Sequence, residues 1–260
     1  MSKLDRMAPS LAENWDRVAA QIEASRHVAV LLDFDGTLVN IARRPDLVRL
    51  RPSTGRALRR LARHSRVTLV VISGRRRAEL LRYIGIRGLH YFGLYGWERS
   101  HHSPLPATAL KALRRARVEL STHLSTIPGI WMEDKNFTLS VHLLDVPPRW
   151  QRRARQKLRS LLLPFQRSLR MIENLRDTEV VPRCISGKGS AVKHLLAKPG
   201  LDRALAFYFG DDLSDEPAFE AVRQGISVCV GAARPTRARY SVRTPAEVTS
   251  ILTKLEAALP

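Results

Sequence analysis

The sequence predicts an α/β protein in which a parallel-sheet domain is interrupted by an inserted α+β unit. Short and nearly continuous apolar runs, such as Val28 to Leu32 and Val67 to Ile72, suit strands buried on both faces of a parallel sheet. Segments with helical periodicity alternate with these runs, which is typical of α/β folds. From about residue 101 to 183 the order changes to helix, two strands, helix and two strands, and from Gly187 the α/β alternation resumes.

The first part of the chain is expected to contain three helices and three strands. Apolar residues spaced by three and four predict an amphipathic N-terminal helix. Ser73 ends the second strand and is expected to cap the third helix, because a serine hydroxyl can accept a hydrogen bond from the first turn. The predicted elements are a helix over 10–25, a strand over 28–32, a helix over 53–64, a strand over 67–72, a helix over 73–85, and a strand with a turn over 91–96.

The inserted unit is predicted to follow a linker over 101–106 and to contain a tight Asp134-Lys135-Asn136 turn between two strands. Its predicted elements are a helix over 108–124, strands over 130–133 and 137–143, a helix over 148–162, and strands over 169–173 and 178–181. The remaining elements are a helix over 189–196, a strand over 204–209, a helix over 216–222, a strand over 226–230 and a helix over 245–259.

The composition argues against membrane and secreted classes of protein. The 260 residues correspond to one or two domains, and 44 Lys and Arg against 24 Asp and Glu give a net charge of +20, which favours anionic ligands. The two cysteines, Cys184 and Cys229, fit neither a disulfide framework nor a zinc site. No apolar run approaches the ~20 residues of a membrane span, and the charged N-terminus lacks the pattern of a signal peptide. A cytoplasmic protein without a membrane segment is expected.

Two acidic residues follow the first predicted strand in the motif Asp33-Phe34-Asp35-Gly36-Thr37. Open α/β sheets bind their ligands at the carboxyl ends of strands. Residues i and i+2 of an extended segment point to one side, so the spacing brings Asp33 and Asp35 together. Because adjacent carboxylates repel each other, the pair predicts a site for a hard divalent cation such as Mg²⁺. A polar turn at the end of the strand is the alternative.

A second acidic cluster, Gly210-Asp211-Asp212-Leu213-Ser214-Asp215-Glu216, follows another predicted strand. Parallel strands can place this cluster beside the first, and four carboxylates within six residues are costly to hold together without a cation. A solvated acidic turn is the alternative for Asp215 and Glu216 taken singly.

Two residues between the acidic motifs are candidate phosphate ligands. Ser73 stands at a predicted helix start, where backbone N–H groups favour an anion. Lys188 precedes another predicted helix in Ser186-Gly187-Lys188-Gly189, where its ammonium could neutralise a phosphate and a neighbouring aspartate. This segment lacks the glycine spacing of a Walker A loop, and a plain helix start would also explain it.

The order of the motifs resembles that of a known superfamily. Asp33-x-Asp35-Gly36-Thr37, Ser73-Gly74-Arg75, Lys188 and Gly210-Asp211-Asp212 resemble the four motifs of the haloacid dehalogenase phosphatases. Within it, Tyr95-Gly96-Trp97-Glu98, Glu133-Asp134-Lys135 and Lys188-Gly189-x-Ala191-Val192 resemble the trehalose-6-phosphate phosphatase family. The resemblance covers the chain from about residue 27, after the predicted N-terminal helix within 1–26. It implies a Rossmann-like core domain over 27–100 and 184–260 and an inserted cap domain over 101–183.

The resemblance also implies a reaction, the Mg²⁺-dependent hydrolysis of trehalose 6-phosphate. Asp33 would attack phosphorus and form an aspartyl-phosphate, while Asp35 would act as general acid and then as general base. Asp33, the backbone carbonyl of Asp35 and Asp211 would hold the metal, supported by Asp212 and Asp215. The residues implied to bind the phosphoryl oxygens are Thr37, Ser73, Gly74 and Lys188.

The same resemblance implies that the inserted unit is a cap that excludes water from the sugar. Carboxylates suit sugar recognition because each accepts hydrogen bonds from two hydroxyls. The substrate-binding residues implied are Arg75 and Glu98 in the core domain and Glu133, Lys135 and Glu179 in the cap. Solvated turn residues are the alternative for Glu133 and Lys135.

The residues that depart from the family pattern lie on the side of the site that is expected to recognise the sugar. The last cap strand reads Glu179-Val180-Val181-Pro182 where the family often shows Glu-Leu-Arg-Pro, and Tyr95 and Trp97 also differ from the common residues. Sucrose phosphate, a mannosyl phosphoglycerate or another glycosyl phosphate is therefore an alternative substrate.

A different class of function would use the basic runs at 75–77, 114–117 and 149–159, which could bind nucleic acid through phosphate contacts. These runs lie mainly on predicted amphipathic helices and no nucleic-acid motif accompanies them. We therefore expect a sugar phosphate rather than nucleic acid as the main ligand, and no obligate protein partner is indicated.

Overall fold

A computed structural model describes residues 7–42, 44–99 and 104–260 of the chain. The chain divides into two compact units, a core unit of residues 1–100 and 187–260 and an inserted unit of residues 101–186. The predicted insertion ends at residue 183 and the observed one at residue 186. The predicted start of the insertion, residue 101, lies outside the described residues. Residues 1–6, on which the expectation about a signal peptide partly rests, also lie outside them.

Strands and helices are numbered in chain order. The strands are β1 (Val28–Leu32), β2 (Val67–Ile72), β3 (His90–Phe92), β4 (Trp131–Asp134), β5 (Leu139–His142), β6 (Leu169–Glu173), β7 (Asp177–Pro182), β8 (Leu205–Gly210), β9 (Ile226–Val230) and β10 (Tyr240–Val242). The helices are α1 (Trp15–Ala24), α2 (Pro52–Arg63), α3 (Arg77–Tyr83), α4 (Ala107–Leu124), α5 (Pro148–Leu162), α6 (Lys188–Leu196), α7 (Glu216–Ala221) and α8 (Pro245–Ala257).

The core unit is built around a six-stranded parallel sheet with the strand order β10-β9-β8-β1-β2-β3. Successive side chains of a strand point to opposite faces, so Val30 and Leu32 join the apolar cluster on one face while Leu31 joins the cluster on the other. The first cluster includes side chains of α2 and α8, and the second includes side chains of α6 and α7. Burial on both faces explains why the β1 sequence is continuously apolar.

The parallel register brings three strand ends to the same edge of the sheet. Leu32 pairs with Val71 of β2 and with Phe209 of β8, so these three strands end side by side. Asp33, Ser73 and Asp211 each follow the end of one of these strands. The fold therefore places the predicted motifs at one edge, as the ligand-binding rule for open α/β sheets requires.

The inserted unit is an antiparallel sheet covered by two helices. Its strand order is β4-β5-β7-β6. Leu139, Val141 and Val180 point to one face and pack with apolar residues of α4 and α5 in a single cluster. The opposite face carries polar side chains. The turn between β4 and β5 spans residues 135–138 and is closed by a hydrogen bond from Lys135 N to Thr138 O at 3.0 Å.

Three local predictions differ from the structure. Ser73 does not cap α3, because that helix begins only at Arg77; Glu79 Oε2 instead accepts the Arg76 N–H at 3.0 Å. The N-terminal helix begins at residue 15 rather than 10 and belongs to the core unit, where it buries Val18 and Ile22. Strand β10 was not predicted, since its three residues are too short for a periodic pattern.

Within the described part of the chain, no helix is both long enough and apolar enough to cross a bilayer.

Candidate active site

A buried lysine lies between two aspartates at the carboxyl edge of the parallel sheet. Lys188, at the start of α6, places its Nζ 2.7 Å from Asp33 Oδ1 and 2.7 Å from Asp215 Oδ1. All three residues are buried. Burial by itself lowers the pKa of Lys188, but attraction to Asp215 and Asp33 outweighs it and raises the pKa above its usual range. The ammonium is therefore a fixed positive charge beside Asp33.

The carboxylate of Asp215 is saturated with hydrogen bonds. Its Oδ1 accepts from Lys188 Nζ at 2.7 Å and from the Tyr208 hydroxyl at 2.6 Å. Its Oδ2 accepts from the backbone N–H groups of Asp211 at 3.1 Å and Asp212 at 3.0 Å. Asp215 therefore holds Lys188 and the acidic loop, residues 211–215, in place. Because a carboxylate oxygen accepts about two hydrogen bonds, Asp215 has little capacity left for a ligand.

Glycine at position 36 allows the two acidic motifs to touch. Gly36 has a φ of +78°, and a Cβ built there would lie 2.1 Å from Asp211 Oδ2. A side chain at this position would therefore collide with the Asp211 carboxylate. This close approach places Asp211 directly against the loop that begins with Asp33, as the sequence predicted. Asp212 turns its carboxylate to the N–H of Leu213 at 2.6 Å.

The site has the donor set and the charge that a divalent cation requires. Asp33, Asp211 and Asp215 each offer an oxygen, and these oxygens lie within 4.8 Å of one another. Asp33, Asp211 and Asp215 are all buried, and mutual repulsion makes the three carboxylates costly to keep ionised together. Oxygen ligands suit a hard cation. The residues present therefore fit a divalent metal ion, and because Asp215 is saturated, Asp33 and Asp211 are the carboxylates that could bind such an ion directly.

Burial and mutual repulsion raise the pKa values of Asp33 and Asp211. Burial raises the pKa of Asp33 to about 7, with Lys188 opposing the shift and Asp215 adding to it. Burial also raises the pKa of Asp211 well above its usual value, and repulsion from Asp33 and Asp215 raises it further. These carboxylates are thus unfavourable as anions unless more positive charge is supplied.

The loop after β1 contains a buried hydroxyl without a hydrogen-bond partner in the described part of the chain. Thr37 is fully buried, and among the described residues its Oγ1 has no hydrogen-bond partner. Leaving such a group unsatisfied costs about 1–3 kcal/mol, which a ligand oxygen would recover. Ser73 is also buried, and its Oγ accepts the Arg75 N–H at 3.2 Å. Gly74 is tightly covered, because a Cβ there would lie 2.9 Å from the Tyr95 ring.

Arg75 binds the predicted general acid. Its Nε donates to Asp35 Oδ2 at 2.7 Å and its Nη2 to Asp35 Oδ1 at 2.8 Å, a bidentate pair. The Nη2 also donates to the Pro45 carbonyl at 2.8 Å, and the guanidinium lies 5.1 Å from the Tyr83 ring centroid. The Arg75 side chain is only 7% exposed. The structure therefore shows Arg75 as the partner of Asp35, and its binding to the substrate stays a prediction.

Glu98 also has protein partners. Its Oε1 accepts from Arg76 Nε at 2.6 Å and its Oε2 from Arg77 N at 2.7 Å. The residue is buried. In this structure Glu98 holds the loop between β2 and α3, beside Ser73 and Gly74.

Sequence reasoning missed Arg234, which braces the acidic loop. Its Nη2 donates to the backbone carbonyls of Asp211 and Asp212, each at 3.3 Å, and its Nη1 donates to Glu216 Oε1 at 2.6 Å. Glu216 further accepts from the backbone N–H of Arg237 at 2.7 Å. Glu216 is therefore a structural residue, and no local motif in the sequence distinguishes Arg234 from the other surface arginines.

The three predicted sugar ligands of the inserted unit share one face of its sheet. Ser140 of β5 pairs with Glu133 on one side and with Glu179 on the other, so these side chains form a row. Lys135 Nζ donates to Glu179 Oε1. Burial lowers the pKa of Lys135, but Glu179 and Glu133 outweigh this effect and raise it. Glu179 Oε2 and Ser140 Oγ are buried without hydrogen-bond partners in the described part of the chain, so the face retains acceptor capacity.

Some of the arginines that contribute to the large positive charge form ion pairs within the chain. Arg117 pairs with Asp134 at 2.6 Å and Arg159 with Glu173 at 2.6 Å, both in the inserted unit. These pairs belong to two of the basic runs considered for nucleic acid, and they agree with the view that the runs are solvated helix faces.

Comparison with known proteins identifies relatives over most of the chain. The family model for trehalose-phosphatase matches residues 31–246. A trehalose-phosphate phosphatase of Mycobacterium avium is 32% identical over 98% of this chain and 67% of its own length. A relative with the same name from Mycobacterium tuberculosis is 30% identical over 89% of this chain and 62% of its own length. The chain thus spans about two thirds of the length of these curated relatives.

Solved structures share the fold. The C-terminal domain of Candida albicans trehalose-6-phosphate phosphatase superposes with a TM-score of 0.85, at 20% identity, over 97% of this chain and 99% of that one. The sucrose-phosphatase of Synechocystis, solved with sucrose and phosphate, superposes with a TM-score of 0.55 at 18% identity, over 89% of this chain and 98% of that one. These similarities confirm the predicted haloacid dehalogenase-like α/β fold.

Proposed function

The chain belongs to the trehalose-phosphatase family, and we propose that it hydrolyses trehalose 6-phosphate to trehalose and inorganic phosphate in a Mg²⁺-dependent reaction. The observation that carries the proposal is the buried group of Asp33, Lys188 and Asp211 at the carboxyl edge of the parallel sheet. It combines a carboxylate nucleophile, a fixed positive charge and a metal-binding acid within one site. Phosphoryl transfer needs these three groups in one place.

In the first step, an oxygen of Asp33 attacks phosphorus while the bond from phosphorus to the sugar oxygen breaks. The product is an aspartyl-phosphate, and the leaving oxygen takes a proton from Asp35. In the second step, Asp35 accepts a proton from water as the water oxygen attacks phosphorus, which releases phosphate and restores Asp33. Asp35 is paired with Arg75 in this structure, so we propose that it leaves this ion pair when it contacts the substrate.

The other residues of the site bind the phosphoryl group. Lys188 holds a positive charge beside Asp33, Thr37 offers an unpartnered hydroxyl, and Ser73 and Gly74 form the adjacent loop. Such donors stabilise charge that develops on the phosphoryl oxygens in the transition state. Mg²⁺ would be held by Asp33, Asp211 and the Asp35 carbonyl, with support from Asp212 and Asp215. The bound ion would neutralise charge on the phosphoryl group.

We propose that the inserted unit acts as the cap and supplies the sugar ligands Glu133, Lys135 and Glu179. Their shared face and its unpartnered acceptors support this role. In the core unit, Arg75 acts on the substrate through Asp35, and Glu98 acts by holding the loop of Ser73 and Gly74. The expected cytoplasmic location remains part of the proposal.

The test is phosphate release from a panel of sugar phosphates, measured with Mg²⁺ and after chelation by EDTA. Trehalose 6-phosphate is expected to give the highest kcat/KM, and EDTA is expected to abolish release until Mg²⁺ is restored. Sucrose phosphate and a mannosyl phosphoglycerate are the decisive comparisons, because the cap departs from the family pattern and because the sucrose-phosphatase shares this fold. A higher kcat/KM for either of them would overturn the assignment of the sugar.

A further inference from the structure

The polar face of the inserted sheet carries a second row of side chains beside the row that contains Glu133. Trp131 of β4 pairs with His142 of β5, and His142 pairs with Asp177 of β7. Every second residue of a strand points to the same side, so Trp131 and Glu133 share a face, as do Asp177 and Glu179. The opposite face is occupied by the apolar cluster.

Trp131 stacks against a neighbouring ring on this face. The indole stacks on the His142 imidazole with the ring centroids 3.6 Å apart and the planes inclined by 7°. His142 Nε2 lies 3.0 Å from Glu133 Oε2, which fixes the imidazole in turn. Trp131 is nevertheless 36% exposed, whereas Leu139 and Val141 of the neighbouring strand are buried in the cluster on the other face. One face of the indole is covered by His142, so the exposed area lies on its other face and its edge.

This arrangement has the two chemical features that a sugar ring requires. A pyranose has faces lined with C–H groups, which pack on an aromatic ring, and a rim of hydroxyls, which donate to carboxylates. Residues 131 and 133 are two positions apart on one strand, a separation of about 6.6 Å. That distance is close to the width of one sugar ring, so a sugar on Trp131 would bring a hydroxyl to Glu133.

We propose that Trp131, supported by His142, is an aromatic subsite that stacks on a pyranose ring of the substrate and favours sugar phosphates over phosphomonoesters without a sugar. The inference rests on the proposed function, because it names an additional contact for the same substrate. Trp131 acts by binding, and the chemical step at Asp33 does not involve it.

The experiment compares Trp131→Ala with the wild-type protein on trehalose 6-phosphate and on p-nitrophenyl phosphate, which has no sugar ring. For trehalose 6-phosphate, KM is expected to rise about fivefold to tenfold, the size of one aromatic stacking contact, with kcat within about threefold. The preference for trehalose 6-phosphate over p-nitrophenyl phosphate should fall by the same factor. Trp131→Phe should restore most of the preference, because it retains an aromatic face.

Leu144→Ala is the matched control, because it removes an exposed apolar side chain from the same unit and should leave both substrates unaffected. An unchanged KM for trehalose 6-phosphate in Trp131→Ala, or an equal loss on both substrates, would overturn the subsite. If the wild-type protein prefers another sugar phosphate of the panel, the proposed function fails at its substrate, and Trp131→Ala is then measured on that sugar phosphate. If the wild-type protein hydrolyses no sugar phosphate, both proposals are wrong.

Discussion

Lys188 Nζ lies 2.7 Å from Asp33 Oδ1, although the two residues belong to different segments of the core unit, which the inserted unit separates in sequence. The contact exists because β1 is one of the two central strands and α6 begins at the carboxyl edge of the same sheet. Asp215 holds the other side of the ammonium. If the lysine moved away, the buried carboxylates of Asp33 and Asp215 would both lose the positive charge beside them, which is costly.

Asp33→Asn should abolish phosphate release while the fold is retained. The amide cannot act as the nucleophile, so the rate should fall by at least about 10³-fold. Its oxygen can still accept the hydrogen bond from Lys188, and removal of one negative charge relieves repulsion with Asp211 and Asp215. The midpoint of thermal unfolding without metal should therefore be unchanged or higher. Turnover near the wild-type rate would contradict the assignment of the nucleophile.

Thr37→Val should lower the activity without lowering the stability. Valine has the shape of threonine but lacks the unpartnered Oγ1, so stability should be unchanged or increased while kcat/KM falls about 10²-fold. Thr54→Val is the matched control, because the buried Thr54 hydroxyl is bonded to Thr249 Oγ1 at 2.7 Å. That variant should lose about 1 kcal/mol of unfolding free energy and keep its activity. A Thr37→Val enzyme with kcat/KM within threefold of wild type would remove Thr37 from the phosphate ligands.

Gly36→Ala should impair the metal site, because the added Cβ would lie 2.1 Å from Asp211 Oδ2. Gly200→Ala is its control: both glycines have a positive φ, but a Cβ at Gly200 meets nothing within 4 Å. Both variants should lose about 1–2 kcal/mol to backbone strain, as measured by urea unfolding. Only Gly36→Ala should lose activity, by about 10²-fold, and require more Mg²⁺. Equal activity in the two variants would show that Asp211 need not lie against this loop.

Arg234→Gln should weaken the binding of Mg²⁺ through the position of the acidic loop. The variant loses the guanidinium that joins Glu216 to the carbonyls of Asp211 and Asp212. The dissociation constant for Mg²⁺, measured by calorimetry, should rise about tenfold, as for other residues that orient metal ligands. Arg237→Gln is the control, because only the backbone N–H of Arg237 bonds to Glu216. Identical Mg²⁺ affinities in the two variants would rule out this positioning role.

Local sequence information was sufficient for most of the fold. Strands β1, β2, β6 and β9 and helix α5 have the predicted limits, because their apolar patterns match the burial of each element. The limits of α3 and the strand β10 were not predictable in this way. The start of α3 depends on Glu79 and Glu98 bonding to the preceding loop, and β10 is fixed by its pairing with β9.

Local spacing was enough to identify the residues that could carry the chemistry, because acidic motifs after apolar strands and a basic residue at a helix start are visible in the sequence. Tertiary structure alone decided how those residues are used. Arg75 is bound to Asp35, Asp215 is saturated, and Arg234 braces the acidic loop through contacts with residues distant in the chain. Whether a side chain is free for a ligand depends on its hydrogen-bond partners in space, and no local pattern encodes them.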